Sequence, residues 1–150
     1  KQGFVTKTTP RGELSIAINP LTQALTSHAS FVSRIFAGEP KHMKEVLTKA
    51  IEHDGFALVD VLQPCVTFNH VNTYQFYKER VYKLEDEDHD SSNWELAYTR
   101  SEEWGEQIPI GVFYREDRPV YEKNFPALEE GALVEKPVRQ DMGTLFKEFM

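Results

Sequence analysis

With 150 residues, the chain is long enough to bury one hydrophobic core, and its 40% hydrophobic and 12% aromatic residues are typical of a globular domain. The 24 acidic and 17 basic residues leave a net charge of −7, which argues against the clustered basic surface of a nucleic-acid-binding protein. No apolar stretch approaches the ~18 residues of a membrane span, and the single cysteine excludes an intrachain disulfide. We therefore expect a cytoplasmic globular protein with neither a nucleic-acid nor a membrane partner.

The first ten residues have the composition of a loop, and Lys1 is not an initiator methionine, so we expect the chain to be a truncated or processed product. Gly3, Thr6, Thr8 and Thr9 would suit a loop beside a phosphate-bearing cofactor, although these residue types are equally common in ordinary turns. No glycine-rich phosphate-binding motif occurs in the sequence.

A helix is predicted from Pro20 to about Ser27, because Asn19 is a favourable N-cap and proline is favoured at the first helical position. The spacing of its apolar residues is that of a helix that packs on a core with one face. This face is formed by Leu21, Ala24 and Leu25.

The next segment has the pattern of a strand, a helix and a second strand. Phe31–Phe36 predicts a short strand, and Gly55 is placed to end a helix that begins at Pro40. The apolar face of this helix is formed by Met43, Val46, Leu47, Ala50 and Ile51. The run Phe56–Leu62 is almost continuously apolar, which predicts a strand buried on both faces, as in a parallel sheet. We therefore expect two parallel strands joined by a right-handed crossover.

Beyond residue 70 the pattern is less regular. Helices are predicted over 72–84 and 94–104, and a strand over Ile108–Tyr114, where Pro109 restricts the strand to the start or the edge of a sheet. The first of these helices would turn four residues inward: Tyr74, Tyr77, Val81 and Leu84. Residues 1–114 are thus assigned to one α/β domain. The remaining 115–150, rich in proline and glycine with an amphipathic end at 145–150, are expected to form an extended tail that contacts a partner chain.

Cys65 follows the second predicted strand, after Gln63 and Pro64. Ligands of open α/β sheets bind beyond the carboxyl ends of the strands, so the cysteine lies where such folds often carry out chemistry. Two interpretations stay open: a buried free thiol, the commoner fate of a lone cysteine, or a ligand of a metal ion or iron–sulfur cluster. One cysteine cannot complete a four-coordinate site, so the second interpretation requires ligands from elsewhere.

Other candidates for chemistry are weaker. The acidic connector 85–90 lacks the glycine and the glutamate that a calcium loop requires at its sixth and twelfth positions. The histidines are interpreted as satisfied polar residues, with His42 and His53 exposed beside the second helix. No nucleophile has a base at an interpretable spacing, which argues against a stand-alone hydrolase, and we assign no catalytic residue.

The run Leu-Gln-Pro-Cys-Val-Thr-Phe-Asn at 62–69 resembles the beta subunits of 2-oxoacid:ferredoxin oxidoreductases, as does the preceding segment 50–61. Supporting similarities in Phe31–Arg34 and Ile108–Tyr114 extend the resemblance over about Gly3 to Tyr121. It covers the C-terminal half of the subunit. It implies a three-layer α/β/α fold with a mainly parallel sheet, as part of a domain that binds thiamine diphosphate.

The resemblance also implies a function. The complete enzyme of that family oxidatively decarboxylates a 2-oxoacid with thiamine diphosphate and Mg²⁺, passes the acyl group to coenzyme A, and reduces ferredoxin through a four-iron, four-sulfur cluster. Cys65 would be the fourth cluster ligand. The other three cysteines, and the motifs that hold the diphosphate and magnesium, would belong to the N-terminal half of the subunit. The implied partners are that half, an alpha subunit and ferredoxin.

The opening loop departs from the family at Phe4, where glutamine is usual, and at Lys7, where proline is usual. No residue of this loop is therefore assigned to thiamine diphosphate, and pyruvate is not distinguished from 2-oxoglutarate. The leading hypothesis is part of an enzyme subunit that is inactive alone. The alternative is a non-catalytic α/β binding or assembly module, in which Cys65 is an inert core thiol rather than a cluster ligand.

Overall fold

The computed structural model describes residues 2–5, 9–129, 131–136, 143 and 146–147. The chain divides into two compact units, Lys1–Arg118 and Pro119–Met150. The helices and strands of the first unit are, in chain order, α1 (Pro20–Thr26), β1 (Phe31–Phe36), α2 (Pro40–Ile51), β2 (Ala57–Leu62), α3 (Tyr74–Lys78), β3 (Val81–Lys83), α4 (Trp94–Ser101) and β4 (Ile108–Arg115).

The four strands form one sheet in the order β2-β1-β4-β3. β1 and β2 are parallel and in register from Phe31 opposite Ala57 to Phe36 opposite Leu62, which confirms the predicted pair of parallel strands around α2. β3 and β4 are also parallel, whereas β1 and β4 are antiparallel. The predicted α/β class is confirmed, and the sheet is mixed, since two of its three pairings are parallel.

Helices cover both faces of this sheet. α1 and α4 pack on one face, where their buried residues share a core cluster with Val32 and Phe113. Because side chains alternate along a strand, Phe31 points to the opposite face. There its ring lies 5.4 Å from the ring of His53, just beyond the end of α2. The sheet therefore lies between two helical layers, as the family resemblance implies.

The two parallel strands differ in burial. All six residues of β1 are buried, whereas β2 lies at the edge of the sheet and five of its six residues are partly or largely exposed. The prediction that the run Phe56–Leu62 is buried on both faces is therefore wrong for this chain. The strand pairs with β1 along one edge, and none of the strands in the described residues pairs with its outer edge.

The predicted helix over 72–84 is wrong, because the chain forms two elements there. α3 is capped by Thr73 and ends at Lys78, and β3 then pairs in parallel with β4, with Val81 opposite Ile108. Valine and tyrosine at 81 and 82 favour a strand once β4 is available as a partner. Leu84 is buried in the following 3₁₀ turn, as predicted, but Tyr74 is exposed.

β4 is an interior strand between β1 and β3, so Pro109 does not mark an edge. It is the second residue of the strand, opposite Tyr82, and the predicted alternative of a strand start is the correct one. The predicted helix over 94–104 is observed as α4, which ends at Ser101.

Gly111 allows β4 to pass close to Glu85. Its φ is +123°, where glycine is favoured, and a Cβ atom at this position would lie 2.5 Å from a carboxylate oxygen of Glu85. We expect Gly111→Ala to lower the free energy of unfolding in urea by about 1–3 kcal/mol, since it adds backbone strain to a steric conflict. In a Glu85→Ala background the conflict is gone, and the same substitution should cost less. Equal costs in the two backgrounds would rule out a contribution from the close approach.

The described residues of the second unit include the single-turn 3₁₀ helices Tyr121–Asn124, Pro126–Leu128 and Leu133–Glu135. The rings of Tyr121 and Phe125 stack with their centres 5.7 Å apart, and Nζ of Lys136 donates to the carbonyl of Ala127 at 2.6 Å. The predicted amphipathic segment 145–150 lies largely outside the described residues. Across the described parts of both units, no helix has the length and apolar character to cross a membrane.

Candidate functional site

Cys65 lies three residues beyond the carboxyl end of β2, at the position predicted for it. Its thiol is exposed, whereas the preceding Pro64 is buried. The proline ring fixes one backbone dihedral immediately before the cysteine. The interpretation of Cys65 as a buried core thiol therefore does not fit this chain, in which the sulfur is accessible from outside.

The turn after Cys65 is held by its own hydrogen bonds. The carbonyl of Cys65 accepts from the amides of Phe68, at 3.2 Å, and Asn69, at 2.8 Å. The side-chain oxygen of Asn69 in turn accepts from the amides of Val71 and Asn72, each at 2.9 Å. These bonds fix the backbone of the turn that carries Cys65.

Within the described ranges, no group of three or more histidine, cysteine or acidic side chains is arranged to hold a metal ion. Cys65 can therefore serve as one ligand of a metal centre only if the remaining ligands come from another segment. Thiolate is the usual protein ligand of iron–sulfur clusters, and an exposed, positioned thiol fits that role. The residues of this chain thus fit a cluster that two segments share.

The surface beside Cys65 is apolar. Val66, Phe68 and Val71 expose between 59% and 67% of their surface, all within six residues of the thiol. Large apolar side chains that are contiguous and exposed typically mark a surface that another protein segment covers. The surroundings of the thiol are thus those of an interface rather than of a free surface loop.

A buried ion pair lies two residues before the ends of β1 and β2. Nε of Arg34 donates to Oδ2 of Asp60 at 2.8 Å, and Arg34 is only 2% exposed. Its guanidinium carbon lies 5.3 Å from the ring centre of Trp104 and 5.7 Å from that of Phe113. Among the described residues, Nη1 of Arg34 has no hydrogen-bond partner.

This ion pair was not predicted from the sequence, although the sequence contains a signal for it. Arg34 and Asp60 are the only charged residues of their strands, and each is the fourth residue of its strand. Parallel pairing in register therefore places them opposite one another. Opposite charges at matching positions of two neighbouring apolar strands predict such a pair.

Aromatic rings continue from this ion pair to the end of the sheet. The ring of Tyr77 lies 5.7 Å from that of Phe36 and 6.4 Å from that of Trp104. Burial and the nearby carboxylate of Asp60 raise the pKa of Tyr77, and Arg34 partly opposes them. The phenol therefore stays neutral at physiological pH.

The predicted exposure of His42 and His53 is wrong, since both are buried. Of the apolar face predicted for α2, Val46 is buried, but Ile51 is 82% exposed. The other predicted members, Met43, Leu47 and Ala50, are half-buried, so the predicted face is the packed one except at Ile51, the last residue of the helix. The two histidines accompany Val46 because their apolar ring surfaces can pack while a ring nitrogen bonds to a neighbour.

His42 binds a carboxylate on another element. Its Nε2 lies 3.2 Å from Oε2 of Glu85, in the 3₁₀ turn Leu84–Asp86. Burial acts to raise the pKa of Glu85, but hydrogen bonds from His42 and from the amides of Glu85 and Val112 outweigh it and lower the pKa. The contact ties α2 to β4 and to the turn that follows β3.

Glu85→Gln should therefore change how stability depends on pH. A carboxyl group whose pKa is lowered in the folded state contributes stability above its ordinary value of 4.5, and that contribution is lost as the pH falls through the folded pKa. The difference in free energy of unfolding between the wild type and Glu85→Gln should be largest near neutral pH and shrink below about pH 4.5. Urea unfolding at a series of pH values measures this, and a difference that does not vary with pH would contradict it.

Ser30 and His53 form a contact that resembles a catalytic pair in distance alone. Oγ of Ser30 lies 2.9 Å from Nε2 of His53, but it donates its proton to the carbonyl of Phe56 at 3.2 Å. Both side chains are buried, so the pair has a structural role, joining the end of α2 to β1.

In the opening loop, residues 6–8 lie outside the described residues, so Thr6, Lys7 and Thr8 carry no structural assignment. The flanking backbone forms a short pairing, in which the amide of Gly3 donates to the carbonyl of Glu13 at 2.6 Å and the amide of Glu13 donates to that of Phe4 at 3.0 Å. Phe4 is exposed there, and we assign it no role in binding a ligand.

Comparison with known proteins bears on this site directly. The profile of the family described as the C terminal of the pyruvate ferredoxin oxidoreductase beta subunit matches residues 65–130, beginning at the exposed cysteine. The beta subunit of a 2-oxoacid:ferredoxin oxidoreductase from Sulfolobus sp. is 39% identical over 93% of this chain and 50% of its own length. Subunit beta of 2-oxoacid:ferredoxin oxidoreductase 1 from Aeropyrum pernix is 42% identical over 76% of this chain and 39% of its own length.

Among solved structures, the chain is similar to a 2-oxoglutarate:ferredoxin oxidoreductase from Magnetococcus marinus, described with 2-oxoglutarate, coenzyme A and succinyl-CoA bound. The TM-score is 0.82 and the identity 31%, over 100% of this chain and 50% of that chain. The chain thus spans about half the length of the relatives that it matches, with a fold and sequence similar to theirs over nearly all of its own length.

Proposed function

We propose that this chain, a member of the beta-subunit family of 2-oxoacid:ferredoxin oxidoreductases, acts as the carboxyl-terminal part of a subunit in such an enzyme. The enzyme would decarboxylate a 2-oxoacid oxidatively to acyl-CoA and CO₂ and reduce ferredoxin. The main support is the 39% identity to a named beta subunit over 93% of the chain. Because the chain spans half of that subunit, the complete activity would require the remaining half and an alpha subunit.

Cys65 is the residue of this chain that we assign to the chemistry, as the fourth ligand of a four-iron, four-sulfur cluster. When bound, such a cluster supplies a one-electron carrier toward ferredoxin. Support comes from the exposed cysteine just beyond the carboxyl end of β2 and from the similarity of the chain to beta subunits of this family. Pro64 and the hydrogen-bonded turn that follows would hold the sulfur in one place, and Val66 and Phe68 would limit the access of water to it.

Thiamine diphosphate and Mg²⁺ belong to the proposed complete enzyme, and no residue of this chain is assigned to them. The proposed partners are the N-terminal half of the beta subunit, an alpha subunit and ferredoxin, with a 2-oxoacid and coenzyme A as substrates. The apolar surface of Val66, Phe68 and Val71 supports a partner segment beside the thiol. A cytoplasmic location suits ferredoxin as the electron acceptor.

Assembly of the enzyme tests the proposal. The chain would be produced anaerobically together with the N-terminal half of the Sulfolobus beta subunit and its alpha subunit. We expect an iron-containing complex that reduces ferredoxin only when a 2-oxoacid and coenzyme A are both present, and not when this chain is omitted. Parallel assays with pyruvate and 2-oxoglutarate would identify the substrate. A stable complex without iron and without activity would instead support the non-catalytic assembly module.

A further inference from the structure

A pocket of about 190 Å³ lies at the end of the sheet where β1 begins. Its walls come from the start of β1, the last turn of α2, the segment that follows β3 and the end of β4. Cys65 follows the end of β2, which runs parallel to β1, so the pocket and the thiol lie at opposite ends of the sheet. The pocket is large enough to hold a small organic molecule as well as water.

The deepest residues that line this pocket are apolar. Phe31 and Leu84 are 0% and 1% exposed, and Val112 beside them is half-buried. Hydrocarbon placed against these side chains leaves water, and the gain in free energy grows with the area that is buried. The inner part of the pocket therefore favours an occupant with an aliphatic portion.

The rim of the pocket carries two cations. Lys49 is exposed, and it forms no ion pair within the part of the chain that the structure describes. Nη2 of Arg115 lies 3.4 Å from Oδ1 of Asp117, whose side chain is 82% exposed. Because an ion pair so open to solvent is weak, Arg115 can exchange it for a ligand. Both cations are thus available to an anion.

The negative charge in the pocket wall already has partners. Among the described residues that line the pocket, Glu85 alone is acidic. Its Oε2 lies 3.2 Å from Nε2 of His42, and its carboxylate also accepts from the amide of Val112. Two cations and one bonded carboxylate leave one positive charge in excess, without counting the histidines. This balance suits a monoanion better than a dianion.

Two further polar residues complete the wall. Nε2 of His89 donates to the carbonyl of Phe113 at 2.9 Å, and the buried Nδ1 of His89 has no hydrogen-bond partner among the described residues. The carbonyl of Ser91 accepts from the amide of Arg115 at 2.9 Å, which holds Ser91 beside Arg115. Polar groups around an apolar interior are the usual arrangement of a site for a small molecule with one charged end.

We propose that this pocket binds a small aliphatic monocarboxylate, with its carboxylate at Lys49 and Arg115 and its hydrocarbon chain against Phe31, Leu84 and Val112. The proposal goes beyond the proposed function and does not depend on it. Carboxylate matches the planar guanidinium of Arg115, which can donate two parallel hydrogen bonds to it. An inorganic anion of the same charge would gain the contact with the cations but none from the apolar interior.

The test is a titration of the full chain with sodium formate, acetate, propionate and butyrate at constant ionic strength, followed by the NMR signals of the backbone amides. The signals of Ser91 and Val112 should shift and saturate, while those of Thr67 and Asn69, in the Cys65 turn, should not. Affinity should rise about threefold to fourfold with each added methylene, because each buries more hydrocarbon. An affinity that stays constant from formate to butyrate, or equal shifts with sodium chloride, would overturn the proposal.

A pair of variants tests the charge at the rim. Lys49→Gln should weaken butyrate binding about fivefold, because it removes one of the two cations. Lys44→Gln is the matched control, since Lys44 is exposed on the same helix and does not line the pocket, and it should leave the affinity unchanged. The amide spectra would verify that both variants stay folded. Equal weakening by the two substitutions would show that general charge attraction explains the binding, and the inference would fail while the proposed function stands.

Discussion

Cys65→Ala should strip or damage the proposed cluster of the assembled enzyme and abolish ferredoxin reduction, because it would remove one of the four thiolates proposed to hold the iron. Cys65→Ser should be nearly as harmful, since an alkoxide oxygen is a poor substitute for a soft sulfur ligand. The measurements are the iron content after anaerobic reconstitution, the visible absorption of the cluster, and the rate of ferredoxin reduction.

The loss should be specific to the ligand. Cys65 is exposed, so neither substitution removes a core contact, and the chain should unfold at an unchanged urea concentration. Thr67→Ala, in the same exposed turn, is the matched control and should retain the iron. Full iron occupancy and normal electron transfer in Cys65→Ala would contradict the assignment of Cys65 as a cluster ligand and favour an inert thiol.

Asp60→Ala should lower the free energy of unfolding by about 3–5 kcal/mol, because it leaves the guanidinium of Arg34 buried without its counter-charge. Arg34 is 2% exposed and its Nη1 already lacks a partner among the described residues, whereas the Asp60 side chain is 22% exposed, so water can replace only part of what the carboxylate provides. Urea unfolding followed by circular dichroism measures this loss.

Two controls separate the charge effect from loss of packing. Adding Arg34→Met to Asp60→Ala removes the uncompensated charge and should restore most of the lost stability. Glu39→Ala removes a partly exposed ion pair, in which a carboxylate oxygen lies 3.7 Å from Nζ of Lys83, and should cost less than about 1 kcal/mol. A loss in Asp60→Ala no larger than that in Glu39→Ala would show that the buried pair is not desolvated.

Local sequence determined several features of this protein before any tertiary contact was known. Asn19 and Pro20 begin α1, and Pro40 begins α2, because caps and proline act on the adjacent backbone alone. The strands on either side of α2 follow from two short apolar runs, and the helix between them is the kind of connection that parallel strands need. The place of Cys65 just beyond β2 follows from the same pattern.

Tertiary structure decided the features that depend on distant neighbours. Residues 81–83 continue a helical pattern in sequence, but pairing with β4 stabilises them as a strand. Pro109 is compatible with either a strand start or an edge, and only the order of the strands selects the start. The sheet likewise decides how far the packed face of α2 extends, because Ile51, at the end of the helix, is apolar but stays 82% exposed.

The site divides in the same way. Its ligand candidate is readable from a local run of eight residues, because strand, proline and turn are encoded side by side. The surroundings of the candidate ligand cannot be read from a local run of sequence. Arg34 and Asp60 meet only when β1 and β2 align in register, and the apolar surface at Cys65 depends on which side chains the rest of the chain leaves exposed. Local sequence thus fixes where the backbone turns, while the packing of distant segments determines which charges pair and which surfaces remain open, because burial is a property of neighbours rather than of residues.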